Sequence, residues 1–369
     1  MNETFRSVFG RDGAVAAAAP GRVNLIGEHT DYNGGYVLPT ALPQKTEVLV
    51  ARRDDRRVRA YSAETKSARP SSFHLGSEKR THSWIDYLQG VTWALAERGF
   101  RIDGFDMFVT SNIPIGKGLS SSASLEVALA RALRQAFSLA LDDVELASIA
   151  HRAETAFVGA PVGIMDQMVC SLGDRSTALF LDTRAMSFER VPLPASIELG
   201  VIDSGIAHAH ATGEYRTRRR ECADAASLLG VGELRDITIE DLPRLERLPE
   251  PLNRRARHVV TENARVLAAV ESLRGDDPLT LGRLLRESHA SMRDDFNVSL
   301  PEIDLLVEIA ARTPGSYGAR LTGGGFGGSI VMLCEQGTAA DATRAAARSY
   351  GSASKHVGQV LLPQQIHAA

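Results

Sequence analysis

Ile113-Pro-Ile-Gly-Lys-Gly-Leu-Ser-Ser-Ser-Ala123 is the stretch on which the reading of this chain turns. It follows Phe105 to Thr110, which alternates near its start as a strand does. It precedes Ser124 to Phe137, where Leu125, Leu129, Ala132, Leu133 and Ala136 share one helical face. A strand therefore passes through glycines directly into a helix. Gly116 and Gly118 let backbone approach a ligand with no Cβ in the way. Ser120, Ser121 and Ser122 bring hydroxyls and backbone N–H groups to the helix N-terminus, where the macrodipole favours a phosphate. The same residues also suit a plain glycine turn with a serine cap, so spacing leaves both readings open. The Gly-Lys pair does not make a Walker A loop: Ser111 stands where that motif needs its first glycine, and Gly118 where it needs Ser or Thr.

Outward from this loop, Thr46 to Ala51 and Arg56 to Ser62 read as strands joined by Arg52-Arg53-Asp54-Asp55, a solvated hairpin turn. Leu141-Asp142-Asp143 caps a second helix running to about Phe157. Strands follow at Thr177 to Asp182 and Leu199 to Asp203. The later half is mostly helical, over Glu214 to Leu229, Asn253 to Arg274, Leu279 to Arg293 and Glu302 to Arg312. Strands at Tyr317 to Leu321 and Ser329 to Cys334, a helix from Thr338 to Tyr350 and a strand at Gln359 to Leu362 close the chain. Strands and helices in runs, without regular alternation, predict an α+β protein. Pro192 and Pro194 mark Val191 to Ser196 as a domain junction, giving domains 1–190 and 191–369.

The 369 residues suit two domains. Hydrophobic residues at 44% and charged residues at 24% exclude a disordered chain, a collagen and a disulfide scaffold. With 42 Lys plus Arg against 45 Asp plus Glu, the net charge of -3 supports neither a nucleic-acid nor an anionic-membrane partner. Cys170, Cys222 and Cys334 are too scattered for a disulfide framework or a zinc knuckle. Cys170 reads as core filling. The early apolar run Ala14 to Ala19 is too short for a signal core or a membrane span, so a cytoplasmic protein is expected. His208-Ala-His210 lacks a third ligand at suitable spacing for a metal site. Met292-Arg-Asp-Asp-Phe-Asn297 lacks the companion signatures of a protein kinase.

Two further loops carry many polar or bare positions. Leu321-Thr-Gly-Gly-Gly-Phe-Gly-Gly-Ser329 contains a formal G-x-G-x-x-G but leads into a strand, where a dinucleotide fingerprint opens a helix. Its bareness serves a tight strand turn, or close packing on a ligand or another loop. Pro20-Gly-Arg-Val-Asn-Leu-Ile-Gly-Glu-His-Thr-Asp-Tyr-Asn-Gly-Gly35 sets Arg22, Asn24, Glu28, His29, Asp31 and Asn33 between glycines. So many donors and acceptors suit a polyol, although a solvated loop reads the same way.

Together, Pro114 to Ala123, Gly163-Ile-Met-Asp-Gln167 and Leu321 to Gly328 resemble the GHMP kinase superfamily, and Gly21 to Gly35 resembles the signature of its galactokinase family. Gly213-Glu-Tyr-Arg-Thr-Arg218 and Arg293-Asp-Asp-Phe-Asn-Val-Ser299 are similar pieces, so the resemblance spans about residues 20 to 335. It implies phosphorylation of D-galactose by ATP at the anomeric hydroxyl, giving α-D-galactose 1-phosphate and ADP, the first step of galactose catabolism. It implies an N-terminal domain like the second domain of ribosomal protein S5 and a C-terminal ferredoxin-like domain, with substrates in the cleft between them. Asp166 matches the catalytic base and Arg22 the arginine beside it. Glu28, His29, Thr30, Asp31, Gly163 and Tyr215 match the sugar-binding set. Gly116, Lys117, Gly118, Leu119, Ser120, Ser121 and Ser122 match the phosphate loop, with Ser62, Trp84 and Tyr87 as nucleotide-pocket positions. Ser122 and Glu154 match ligands of Mg²⁺, the expected cofactor. Lys117 stands where many members carry Gly or Ala, and it either points to solvent or adds a phosphate contact.

Phosphoryl transfer asks a protein to align groups and neutralise charge. Asp166 can take the proton of the attacking sugar hydroxyl, and Arg22 supplies a fixed positive partner. Two alternatives share the motifs: an N-acetylgalactosamine kinase, and a non-catalytic galactose and ATP sensor. Family members that only sense sugar can lack part of the Ser-Ala segment, which is intact here at Ser122-Ala123. Small-molecule partners and a monomer are expected.

Overall fold

The computed structural model describes residues 1–65, 69–206 and 211–363. The chain runs α1 (Asn2–Phe9), β1 (Val15–Asn24), β2 (Tyr36–Val37), β3 (Pro39–Arg52), β4 (Arg57–Ser62), β5 (Ser71–His74), α2 (Ile85–Glu97), β6 (Phe105–Ser111), α3 (Ser121–Phe137), α4 (Asp143–Arg152), α5 (Met165–Leu172) and β7 (Thr177–Asp182). It continues through β8 (Ser187–Pro192), β9 (Ile197–Asp203), α6 (Ala211–Leu229), α7 (Leu242–Leu245), α8 (Leu252–Arg274), α9 (Pro278–Asp294), α10 (Pro301–Arg312), β10 (Ser316–Thr322), β11 (Ser329–Glu335), α11 (Ala339–Ala353) and β12 (Gln359–Leu362). It forms two compact units. The first comprises Met1–Arg22, Ala41–Ile115 and Leu119–Asp174; the second comprises Val23–Thr40, Gly116–Gly118 and Arg175–Ala369.

In the first unit β3 pairs antiparallel with β6, β6 parallel with β4, and β4 antiparallel with β5, while β1 pairs with β3. Val48, Val50, Val58, Ala60, Met107 and Val109 from these strands are buried in one core with Leu88 and Val91 of α2, Val127 and Leu133 of α3, and Leu146 and Ile149 of α4. Burying this much apolar surface is the main force holding the unit together. α4 begins on a capping box in which Glu145 N donates to Asp142 Oδ1 at 2.8 Å and Asp142 N to Glu145 Oε2 at 2.9 Å. The helix expected to reach Phe157 instead changes at Ala153 into a π-helical turn, Ala153–Val158, which carries Glu154.

The expected hairpin at Arg52 to Asp55 is corrected. β3 and β4 are consecutive in sequence but both pair with β6, which lies between them. The charge run is tied inward as well: Arg53 Nη1 reaches the buried Asp106 at 3.3 Å, alongside Arg59 at 2.6 Å and Arg11 at 2.7 Å. Alternation identifies strands but not their neighbours, and here a long-range partner outcompeted the local one. The helices α1, α2, α5 and α7 and the strands β1, β2, β5 and β8 carry no element in the sequence reading. β8 ends at Pro192, inside the stretch read as a junction.

In the second unit β2 and β8 flank β7, and a separate antiparallel sheet has the order β10-β11-β9-β12. Helices α9 and α10 pack on β10, and α11 packs on β9. Their shared core includes Ile202, Met292, Phe296, Leu306, Leu321, Ile330, Met332 and Tyr350. Sheet and helices in separate runs make an α+β architecture. No helix among the described residues is long and apolar enough to cross a membrane.

Candidate active site

In the first unit, β1 ends beside the start of α3. Arg22 N donates to Leu119 O at 3.2 Å, and a Cβ on Gly21 would lie 2.8 Å from that same oxygen. Glycine is therefore required at position 21 for the strand to come this close. Arg22 then presents its guanidinium to Asp166, in the first turn of α5. Nε donates to Oδ1 at 2.8 Å and Nη2 to Oδ2 at 2.7 Å, a planar two-point grip that a lysine could not make. Arg22 is almost wholly buried, whereas the Asp166 side chain keeps 24% of its surface exposed. The carboxylate is thus held from behind and open in front.

Ser120 adds a third contact, its Oγ donating to Asp166 Oδ2 at 2.5 Å. Of the serines read as a possible helix cap, Ser120 takes the N-cap position of α3 but makes no side-chain cap bond. Its φ of 60° is a left-handed conformation that serine adopts at a cost. The hydroxyl is spent on Asp166 instead of on the N–H groups of the first helical turn.

Ser122 lies close enough to Glu154 to favour its charged form, and Gln167 Nε2 donates to Glu154 Oε2 at 2.6 Å. Burial, and secondarily the negative charge of Asp166, raise Glu154 to about 7. Glu126 is completely buried beside it and is also raised, by burial first and by Glu154 second. Two oxygen donors this close, one hydroxyl and one carboxyl, fit a hard cation that takes its remaining ligands from elsewhere. Among the described residues no group of three or more His, Cys, Asp or Glu could hold a metal by itself. His208 and His210, set aside as a metal site, lie outside the described residues.

A hollow of about 230 Å³ opens next to Ser121 and Ser122 and is lined by Ser62, Trp84, Tyr87 and Leu125, among others. Ser62 sits at the end of β4, Trp84 just before α2 and Tyr87 in its first turn. The two aromatic rings are half-buried against the core of this unit, so the packing role expected of an i, i+3 pair and a wall of the hollow coincide. Burial raises Tyr87 to about 12. Gly163 precedes α5 by two positions.

In the second unit the loop after β1 is built on strained and bare positions. Gly27 has a φ of 102°, and a Cβ there would lie 2.7 Å from Tyr36 O. The Thr30 hydroxyl lies 2.9 Å from Gly27 O and 2.6 Å from Tyr36 O, so Thr30 is committed to closing the loop. Glu28 is buried, with Oε1 accepting from Gly323 N at 2.8 Å and 3.5 Å from Arg320 Nη2. His29, with a φ of 62°, packs its ring at a tilt, 5.1 Å from Tyr215 and 4.7 Å from Phe296. Its Nδ1 lies 2.8 Å from the Tyr32 hydroxyl, and its buried Nε2 has no protein partner among the described residues. Burial above all, then the neighbouring His258 and Arg218, lowers His29 to about 3. A neutral imidazole with one spare nitrogen can exchange a hydrogen bond with a hydroxyl ligand. Asp31 opens a short 3₁₀ turn and is partly exposed.

The glycine loop between β10 and β11 serves both of the ends foreseen for it. It closes an antiparallel pair, and it packs on a neighbouring loop: Phe326 N donates to Val298 O at 2.7 Å, and a Cβ on Gly325 would lie 2.5 Å from that oxygen. Lys117 does not simply point to solvent; its Nζ donates to Asp203 Oδ2 at 2.6 Å. Gly116 and Gly118 both have positive φ, 73° and 76°.

Sequence reasoning missed Arg320, His258 and Glu126. Arg320 is fully buried and donates to the Asn24 and Leu25 carbonyls at 3.1 and 2.9 Å. His258 Nε2 lies 3.0 Å from Glu28 O. Each is an ordinary polar residue inside a regular element, with no local signal of its partner. Tyr32 and Gln167 lay inside quoted stretches and could have been singled out.

A galactokinase galactose-binding signature matches residues 3–52, the GHMP kinase N-terminal domain residues 86–174, and the GHMP kinase C-terminal domain residues 269–353. The chain is 45% identical over 363 residues to a galactokinase of Streptomyces coelicolor, covering 96% of this chain and 93% of that protein. It is 43% identical over 361 residues to a galactokinase of Roseiflexus sp., covering 96% and 92%. The crystal structure of Lactococcus lactis galactokinase complexed with galactose is similar at a TM-score of 0.93 and 32% identity, covering 97% of this chain and 95% of that one.

Proposed function

The chain belongs to the galactokinase family of the GHMP kinases, and from that membership we propose that it transfers the γ-phosphoryl group of ATP to the C1 hydroxyl of D-galactose. The observation that carries this is the Arg22–Asp166 pair, with Ser120 of the loop on the same carboxylate. As the sugar oxygen attacks, Asp166 accepts its proton. The new O–P bond forms while the bond from the γ-phosphorus to the bridging oxygen breaks, and ADP leaves with that electron pair. Arg22 fixes the orientation of Asp166 and places positive charge beside the reacting groups.

Glu28, His29, Asp31, Gly163 and Tyr215 are assigned to galactose, with Thr30 shaping the loop that presents the first of them. Residues 116–122 are assigned to the ATP phosphates, and Ser62, Trp84 and Tyr87 to the nucleoside. Ser122 and Glu154 would hold Mg²⁺, which when bound with ATP would neutralise charge on the β- and γ-phosphates. We further propose a cytoplasmic monomer.

ADP release by the purified protein, in Mg-ATP, across galactose, glucose, N-acetylgalactosamine, homoserine and mevalonate tests the assignment. Galactose-selective turnover is expected. A preference for N-acetylgalactosamine would move the substrate. Galactose binding with no turnover would make the chain a sensor.

A further inference from the structure

The second unit contains a cavity of about 710 Å³ that shares only Lys117 with the residues assigned above. It is lined by Arg344, Arg348 and Gly351 of α11, by Gln359 of β12, and by Asp203 and Lys117. Three of these side chains are cations and one is a carboxylate. Arg344 and Arg348 lie one helical turn apart on the same face, where like charges repel. Arg344 is only loosely occupied, by an exposed ion pair with Asp341 at 2.5 Å. Arg348 has no carboxylate partner among the described residues.

Asp203 faces the same cavity. It is the last residue of β9, in register with Ser329 on one side and Gln359 on the other, and is 1% exposed. Lys117 Nζ donates to its Oδ2, but its buried Oδ1 accepts no hydrogen bond among the described residues. A buried acceptor in that state is costly unless something outside the chain donates to it.

A fitting occupant must therefore bring an anionic group for the arginines and a hydrogen-bond donor for Asp203. Three cations against Asp203 and Asp341, the carboxylate paired with Arg344, leave an excess of about one positive charge, which favours an anion such as a phosphate monoester. Arginine pairs also match phosphate oxygens in geometry. We propose that this cavity binds a small phosphorylated polyol, its phosphate held by Arg344 and Arg348 and one hydroxyl donating to Asp203 Oδ1. The volume accommodates such a molecule within the ordinary range of roughly 300–1,000 Å³ for ligand sites.

Calorimetric titration of the full chain at low salt, with glycerol 3-phosphate, inorganic phosphate and glycerol as probes, tests this. Glycerol 3-phosphate is expected to bind more tightly than inorganic phosphate, and glycerol not at all. The double variant Arg344→Ala, Arg348→Ala should weaken glycerol 3-phosphate by about tenfold or more. Both side chains are exposed, and a thermal melt checks that the variant is folded. Equal affinity in the parent and the double variant would place the phosphate elsewhere and overturn the proposal. Absence of binding at millimolar probe would do the same, and equal affinity for inorganic phosphate would remove Asp203 from the site. Neither galactose nor ATP turnover enters the measurement, so its failure leaves the phosphotransfer reading standing.

Discussion

Arg22 holds Asp166 by two parallel hydrogen bonds, 2.8 and 2.7 Å long, across 144 positions of sequence. The grip leaves the carboxylate no freedom to rotate, while 24% of its side-chain surface stays exposed. With Ser120 on Oδ2, the positions of both oxygens are set before any substrate arrives.

Replacing Asp166 by Asn keeps the shape and one acceptor but removes the proton acceptor. Turnover should fall by about 10²–10⁴, the usual contribution of a general base, with galactose affinity changed little. Steady-state rates paired with calorimetric galactose binding measure both. Loss of binding in step with turnover would make Asp166 a sugar ligand first.

Gly21→Ala drives a methyl group against Leu119 O, which a Cβ would approach to 2.8 Å. The backbone entering α3 must then shift. Stability should drop by about 1–3 kcal/mol, and the KM for ATP should rise more than that for galactose. A variant with the two constants raised equally would argue against a phosphate role for this loop.

Glu154 is raised to about 7 by burial, so the folded state holds its proton at pH values where the unfolded chain has lost it. Its contribution to stability is full in acid and declines as pH rises from the ordinary carboxylate range through about 7. Thermal melts of the metal-free protein should show this decline, and Glu154→Gln should flatten it. The same variant should raise the Mg²⁺ concentration needed for half-maximal activity; an unchanged Mg²⁺ dependence would remove Glu154 from the metal site.

His29 and His258 behave in the opposite sense. Burial lowers them to about 3 and about 4, so unfolding takes up protons as pH falls below the usual histidine value. Stability is complete above that value and is lost progressively toward pH 3. His29→Asn tolerates the left-handed backbone and should reduce this acid sensitivity while raising the KM for galactose. Denaturant titrations between pH 4 and 7 would reveal it; identical acid limbs in variant and parent would show that His29 is not the group titrating.

Much of this was legible in local sequence. The glycine and serine pattern at 116–122 marks a backbone built for close approach, because glycine adopts the positive φ values found at Gly116 and Gly118 without the strain a side chain brings. The capping residue Asp142, the helical periodicity of 124–137 and the α+β order of elements were readable because they depend on neighbours within a turn or two. Other features were not. Nothing near Arg52 to Asp55 reveals that β6 separates β3 from β4, or that Arg53 turns inward to Asp106.

The sequence by itself determined which residue types are present for phosphate, polyol and cation chemistry, and their order along the chain. The tertiary structure decided their partners. It gave the Ser120 hydroxyl to Asp166 instead of to its own helix, Lys117 to Asp203 instead of to solvent, and the Thr30 hydroxyl to the loop it closes. The physical reason is that hydrogen bonds and ion pairs are set by distance in space. Chain separations of 46 and 86 residues are invisible to spacing rules, and only burial of the two cores brings those groups within reach.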